Sequence, residues 1–200
     1  VYAPRLYNGG LMYSSPSGKG NIDPYTKLPY TNLFVSKREG ASWSAPQELQ
    51  GINSDYHDAV GTISPSGNIM VFTRSYTLQS GTLGGNENKV STTQLYISRK
   101  STDDSWLEAM VMPFCDNKYM YTHPTFSSDG LTLYFSSDMP GGFGGMDLWS
   151  VYNVIQEKLV HGMFNYKYGV KVRKARKIKN FKQDIVLNEK LYDLALAYAN

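Results

Sequence analysis

Short alternations of apolar and polar residues, broken by turn formers, run through most of this chain, and sustained helical periodicity is confined to its end. Between residues 131 and 136, Leu131, Leu133 and Phe135 alternate with Thr132, Tyr134 and Ser136. That period of two belongs to a strand with one face more buried than the other. The pattern predicts strands over His123 to Phe126, Leu131 to Ser137 and Met146 to Val151, with the turn Ser127-Ser128-Asp129-Gly130 between the first two. An earlier stretch repeats the order: His57 to Ile63, the turn Ser64-Pro65-Ser66-Gly67, Asn68 to Arg74, and Thr93 to Arg99 after a long connection. A first unit reads "YAPRLYNGGLMYSS" followed by Thr31 to Lys37, without the histidine. "GASWSAPQEL" and "DSWLEAMVM" carry Trp43 and Trp106 just before short segments expected to be fourth, outer strands. Three units of four strands at this spacing suggest the blades of a propeller.

Composition fits a mainly β fold. Hydrophobic residues make up 41% of 200, Tyr is the commonest aromatic and there are 18 glycines, a mix suited to short strands and turns. Charge divides the chain: residues 1–152 hold 10 Lys and Arg against 13 Asp and Glu, and 153–200 hold 10 against 4. Two regions are therefore expected, blades over 1–152 and a basic, partly helical segment over 153–200. With Cys115 as the lone cysteine, no disulfide can form within the chain. No apolar run is long enough for a spanning helix, and the start at Val1 without Met or a signal reads as a mature fragment.

The motifs "SSDGLTLYFSSD", "GGFGGMDLW" and "ISPSGNIMVFTRS" with "QLYIS" resemble the TolB-type, WD-repeat-like propeller repeat. More narrowly, "NSDYHDAVGTISPSG", "MYTHPTFSSDG" and "SDMPGGFGGMDLW" are similar to the propeller segment of Bacteroidetes envelope proteins of the OmpA family. The resemblance covers residues 1–152. It implies a β-propeller of antiparallel blades, incomplete with three, in a periplasmic or outer-membrane-associated protein. In that group an OmpA-type peptidoglycan-binding domain usually follows, and some members serve type IX secretion or gliding. Other envelope proteins are then the expected partners, with peptidoglycan reached through a domain outside this sequence.

Candidate chemistry is sparse. His57 and His123 are read as structural, tying one blade to the next, because no Asp or Glu stands at metal-ligand spacing to either; His161 reads as solvated. Asp147 is expected to accept backbone hydrogen bonds at the start of a third strand. Gly67 and Gly130 suit turns that need positive φ. Gly141, Gly142, Gly144 and Gly145 lack the Lys-Ser/Thr and following helix of a phosphate loop, and read as a tight connection packed near its neighbours. There is no G-x-S-x-G elbow, and "SSDGLTLYF" fails the spacing of a sialidase box. No catalytic residue, metal or cofactor is expected.

The connections between second and third strands, near 16–31, 76–92 and 138–146, are expected on one face, with Tyr25, Tyr30, Tyr76 and Phe143 as partner-binding aromatics. Beyond residue 152, "MFNYKYGVKV" predicts a strand, and "KVRKARKIKNFK" offers Lys171, Arg173, Lys174, Arg176 and Lys177 to an anionic partner. Nucleic acid is not the partner expected. Leu187, Leu191, Leu194, Ala195 and Tyr198 make a helical stripe over 184–199, weakly similar to a tetratricopeptide helix. The function expected is a non-enzymatic protein-interaction scaffold of the bacterial envelope. The alternative is a glycan-processing or glycan-binding propeller whose active residues lie in absent blades.

Overall fold

The computed structural model describes residues 1–16, 21–88 and 90–152, and the backbone of 171–174 and 185–186. Every regular element among them is a strand. Sheet 1 contains β1 (Tyr2–Tyr7), β2 (Gly10–Pro16) and β3 (Thr31–Glu39), with the two-residue pieces β4 (Ser42–Trp43) and β5 (Gln47–Glu48) on the outer edge of β3. Sheet 2 is β6 (Asp58–Ile63), β7 (Ile69–Ser75), β8 (Thr93–Arg99) and β9 (Met110–Val111). Sheet 3 is β10 (Tyr121–Phe126), β11 (Thr132–Ser137), β12 (Asp147–Tyr152), β13 (Lys171–Lys174) and β14 (Ile185–Val186). All pairings are antiparallel and join strands consecutive in the chain, except that β5 pairs with β3, so each sheet is a meander.

A shared irregularity fixes the correspondence of the sheets. In each, the register between first and second strands slips once, between Tyr2 and Arg5, between Ala59 and Thr62, and between Thr122 and Thr125. The bulged dipeptides are Ala3-Pro4, Val60-Gly61 and His123-Pro124. Ala3 and His123 take positive φ of 47° and 53°, as a bulge permits for an isolated non-glycine residue. His123 therefore matches Val60 and Ala3. The expected equivalence of His57 and His123 is wrong: His57 stands one residue before β6, three positions out of step. Counting from the bulge, Arg5, Thr62 and Thr125 share one level, and they meet. Arg5 Nη2 donates to Thr125 Oγ1 at 3.2 Å, and the next amide, Phe126 N–H, donates to Thr62 Oγ1 at 3.1 Å. The first strands thus run side by side in the same direction, and the sheets fan outward from them.

The turns after first strands follow from their residues. Ser64 and Ser127 each accept the amide of the residue five positions on through Oγ, from Ile69 and Thr132 at 3.2 and 2.9 Å. Gly67 and Gly130 close these turns at φ 77° and 72°. Sheet 1 shortens the same reversal to Asn8-Gly9, both at positive φ, the type I′ signature.

Two cores lie between the sheets. Met12, Leu33, Leu49 and Ile52 pack with Met70, Phe72 and Trp106; Val71, Leu95 and Met112 pack with Tyr121, Leu133, Phe135, Trp149 and Val151. Sheet 2 is buried on both faces, which explains the run Ile69-Met70-Val71-Phe72 without alternation. Sheet 3 keeps the alternation, with Leu133 and Phe135 buried and Tyr134 exposed. The tryptophans differ in role: Trp43 lies exposed in β4, whereas Trp106 is buried and donates its indole N–H to the Tyr7 hydroxyl at 3.3 Å.

Beyond Tyr152, β13 pairs with β12 and supplies the fourth strand, without a tryptophan, beginning at Lys171. The strand expected over 163–172 otherwise lies outside the described residues. So does the expected helix over 184–199, except that Ile185–Val186 is a strand pairing with β13.

A buried ion pair braces sheet 2 against the chain that enters it. Arg74 Nε donates to Asp58 Oδ1 at 2.6 Å, and its Nη2 donates to the Ile52 carbonyl. The guanidinium carbon lies 5.0 and 4.9 Å from the Phe72 and Tyr96 ring centres. Burial pushes the Asp58 carboxyl above its ordinary value, while Arg74 and the Ser54 donors oppose that push. Removing one partner strands the other charge, so Asp58→Asn or Arg74→Met is expected to cost about 3–5 kcal/mol in urea unfolding. The double variant Asp58→Leu/Arg74→Met should cost clearly less than the sum of its singles.

A Cβ at Gly61 would lie 1.7 Å from the Val71 carbonyl oxygen, whereas one at Gly67 meets nothing within 4 Å. Gly61→Ala is thus expected to lose about 3 kcal/mol through overpacking. Gly67→Ala should lose about 1 kcal/mol through its φ alone. Denaturant midpoints for the pair would check the order.

Candidate functional site

The connections from second to third strand leave all three sheets at one end of the fan, where the links between sheets also run. Loop A (17–30) joins β2 to β3, loop B (76–92) joins β7 to β8, and loop C (138–146) joins β11 to β12. Each of the described stretches is internally organised.

In loop A, Asp23 folds the chain back on itself. Its carboxylate accepts the Tyr25 amide at 3.0 Å and the Thr26 hydroxyl at 2.7 Å, and Ile22 bridges to Pro29. The amide of Tyr25, then the hydroxyl of Thr26, hold the Asp23 carboxyl below the usual carboxylate range. This turn lifts Tyr25 to 93% exposure. Tyr30 points the other way and is 7% exposed, its ring edge-on to Tyr56 at 5.3 Å and to His57 at 4.6 Å. Burial, then the Asp23 carboxylate, push the Tyr30 hydroxyl upward.

His57 ties loop A to the link between sheets 1 and 2, as expected of a structural histidine. Its Nδ1 accepts the Thr31 amide at 3.2 Å, so that nitrogen carries no proton. Nε2 then bears the hydrogen and faces Asp23 Oδ2 at 3.7 Å. His123, by contrast, is exposed in its bulge.

Loop B folds around Tyr76. The Tyr76 carbonyl accepts the Gly84 amide, and Gly84 lies so close that a Cβ would fall 2.3 Å from the ring. The Tyr76 hydroxyl accepts a hydrogen bond from Asn117 at 3.3 Å on the next link, and Glu87 pairs with Lys118 at 3.1 Å. In loop C, Asp147 accepts the Phe143 amide at 2.7 Å, the role expected of it. Gly141, Gly144 and Gly145 take positive φ, and a Cβ at Gly144 or Gly145 meets nothing. Dihedral need, rather than close packing, accounts for those two glycines. Phe143 stands 63% exposed.

Of the four aromatics read from the sequence, Tyr25 and Phe143 face outward, while Tyr30 and Tyr76 form the floor that carries the loops. The exposed aliphatic side chains Ile22, Leu28 and Leu78 join the same loops. They were missed because only aromatics were sought; their position between turn residues was the available signal.

Lys171, Arg173 and Lys174 belong to β13, on the outer side of sheet 3. Arg176 and Lys177 lie outside the described residues. Among the described residues, no group of three or more His, Cys, Asp or Glu is placed to hold a metal ion, and no helix is long and apolar enough to cross a membrane. The Cys115 thiol packs in the core between sheets 2 and 3, where burial pushes its pKa up, opposite to the shift that activates a nucleophile.

Asp23 sets a testable acid limb. Its folded pKa lies below 3.8, so its contribution to stability is complete above that value and is lost as pH falls through the lower folded value. Asp23→Asn is expected to flatten the acid side of the curve of unfolding midpoint against pH while leaving its neutral side nearly level. An unchanged acid limb would contradict the role given to the carboxylate.

No family model, no curated protein and no solved structure matches this chain.

Proposed function

We propose that this chain is part of a non-enzymatic scaffold that binds other proteins of a bacterial cell envelope, at the periplasm or outer membrane, through the face built by loops A, B and C. The sheets are read as propeller blades. Three meandering sheets with first strands gathered at one level, each bulged at the same register, support that reading. The motifs of residues 1–152 point to the envelope and to type IX secretion or gliding as the setting.

One observation carries the binding role: large apolar side chains stand exposed on loops that are themselves well bonded. A loop ordered by Asp23, Tyr76 or Asp147 presents its side chains at small entropic cost on association. Tyr25 and Phe143 are anchors of the kind that dominate protein interfaces. The side chains described at this face suit recognition, since no nucleophile, base and orienting group come together there.

A photo-crosslinking residue at position 25 or 143, in cells of the source envelope, should capture the same protein from both positions. Tyr25→Ala and Phe143→Ala should each weaken that partner's binding by about tenfold or more. Both should leave the unfolding midpoint unchanged, because neither side chain supports the core. Turnover of a glycoside panel, lost on substitution of loop residues, would instead favour the enzymatic alternative.

A further inference from the structure

Two side chains of the link between sheets 1 and 2 dock on the outer edge of β3, by different chemistry. Asn53 Oδ1 accepts the Leu33 amide at 2.8 Å while its Nδ2 donates to the Leu33 carbonyl at 3.1 Å, so one side-chain amide stands in for a strand partner. Two residues back, the Thr31 amide points the same way and donates to His57 Nδ1 at 3.2 Å. The Thr31 hydroxyl donates to the Asp58 carbonyl at 3.1 Å and also lies 3.1 Å from Nδ1. Thr31 is where loop A re-enters sheet 1, so the group that holds its amide fastens the end of the loop.

Asn53 keeps its acceptor whatever the pH. His57 does not, because a neutral imidazole has one acceptor nitrogen and an imidazolium has none. With Nε2 already carrying a hydrogen, a second proton goes to Nδ1, and the Thr31 amide then faces a donor. The proton also charges the ring, whose Nε2 lies 3.7 Å from Asp23 Oδ2. That oxygen accepts the Thr26 hydroxyl at 2.7 Å and the Thr26 amide at 3.3 Å, two of the bonds that make the loop A turn. Protonation thus removes one anchor of the loop and competes for another.

Among the described residues, Asp23 and Tyr30 face His57 from loop A, and Tyr56 and Asp58 flank it in the chain. Arg74 of β7 pairs with Asp58, and the Ser75 amide donates to the His57 carbonyl at 2.9 Å. Asp23, held below the usual carboxylate range, stays ionised where histidine titrates, and Tyr30, pushed upward, stays neutral. The internal repeat supplies a comparison. Counted from the bulge, Met120 takes the position of His57 before sheet 3, and Thr93 that of Thr31 in sheet 2. Thr93 makes the matching hydroxyl bond, to the Tyr121 carbonyl, after a link whose corresponding side chain takes no proton.

We propose that His57 is a proton-operated latch: neutral, it fastens loop A to the link, and protonated, it frees the Thr31 amide, so that acid loosens the segment presenting Tyr25 while loop B stays fixed. Its bearing on binding rests on the loop face being the contact surface; the latch itself is read without a partner.

Amide hydrogen exchange of the full chain, followed residue by residue by NMR and corrected for intrinsic rates, tests the idea. Two amides report on loop A: Thr31, and Tyr30, which donates to the Asn21 carbonyl at 2.9 Å. From about pH 7.5 to about pH 5.5, a span that histidine crosses, their protection should fall about tenfold, the scale of one hydrogen bond. Leu33, held by Asn53, and Gly84 of loop B should keep theirs. His57→Asn, whose Oδ1 replaces Nδ1 as acceptor, should keep Thr31 protected at both ends of the range, and His57→Phe should leave it exchanging fast at both. Level protection at Thr31 in the unaltered chain would overturn the proposal. So would a fall that persists in His57→Asn, which assigns it to Asp58 or another group, and a fall shared by Leu33 and Gly84, which is loss of the whole fold. Should His57→Phe not fold, His57→Asn decides alone. Because no partner enters the measurement, failure of crosslinking from position 25 counts against the loop-face function and leaves the latch standing.

Discussion

Everything in this molecule depends on one packing relation: a flat row of small and aliphatic side chains on one sheet receives the large side chains of the next. Leu33 meets Phe72 and Met70 in one core, and Leu95 meets Phe135 and Trp149 in the other. Single meanders of this length cannot bury both faces alone, so each sheet gains its stability from its neighbours. The bulge in the first strand serves this relation by bending the backbone where three strands converge. Gly61 shows how close that convergence is, with no room for a methyl group before the Val71 carbonyl.

The polar features are arranged around that packing. Asp58 sits where the chain enters sheet 2, and its pair with Arg74 fixes the link at Ile52 while the guanidinium covers two aromatic rings. Thr31 and Thr93 stitch consecutive sheets alike, each hydroxyl donating at 3.1 Å to the first strand of the following sheet, at the carbonyls of Asp58 and Tyr121 in turn. At the loop end, His57 and Tyr30 join loop A, and Tyr76 joins loop B, to a link, so those exposed tips are held by groups that belong to the frame. Outward-facing and supporting residues are thus separate sets, and sequence type alone does not divide them.

How much of this was legible follows from which forces act locally. The strand order, the Ser-x-x-Gly turns and the span Thr93 to Arg99 could be read because alternation and positive-φ demand are properties of neighbouring residues. The pairing of His57 with His123 failed because a matching letter was used as the marker, whereas the bulge that sets equivalence is formed by Ala-Pro, Val-Gly and His-Pro in turn. Tyr30 and Tyr76 were grouped with Tyr25 because burial depends on what a link brings across from another sheet. The tryptophans misled for a similar reason: Trp43 and Trp106 share spacing but not surroundings.

The displaced register in the first strands bears on ancestry. The first residue of that dipeptide differs in all three copies and the second is proline in two of them, yet the backbone kink has stayed in place, as expected if selection acts on curvature and tolerates residues that permit it. Related domains would then be grouped better by where their inner strand breaks step than by the letters around it, and relatives too distant for comparison of residues would still carry this signature.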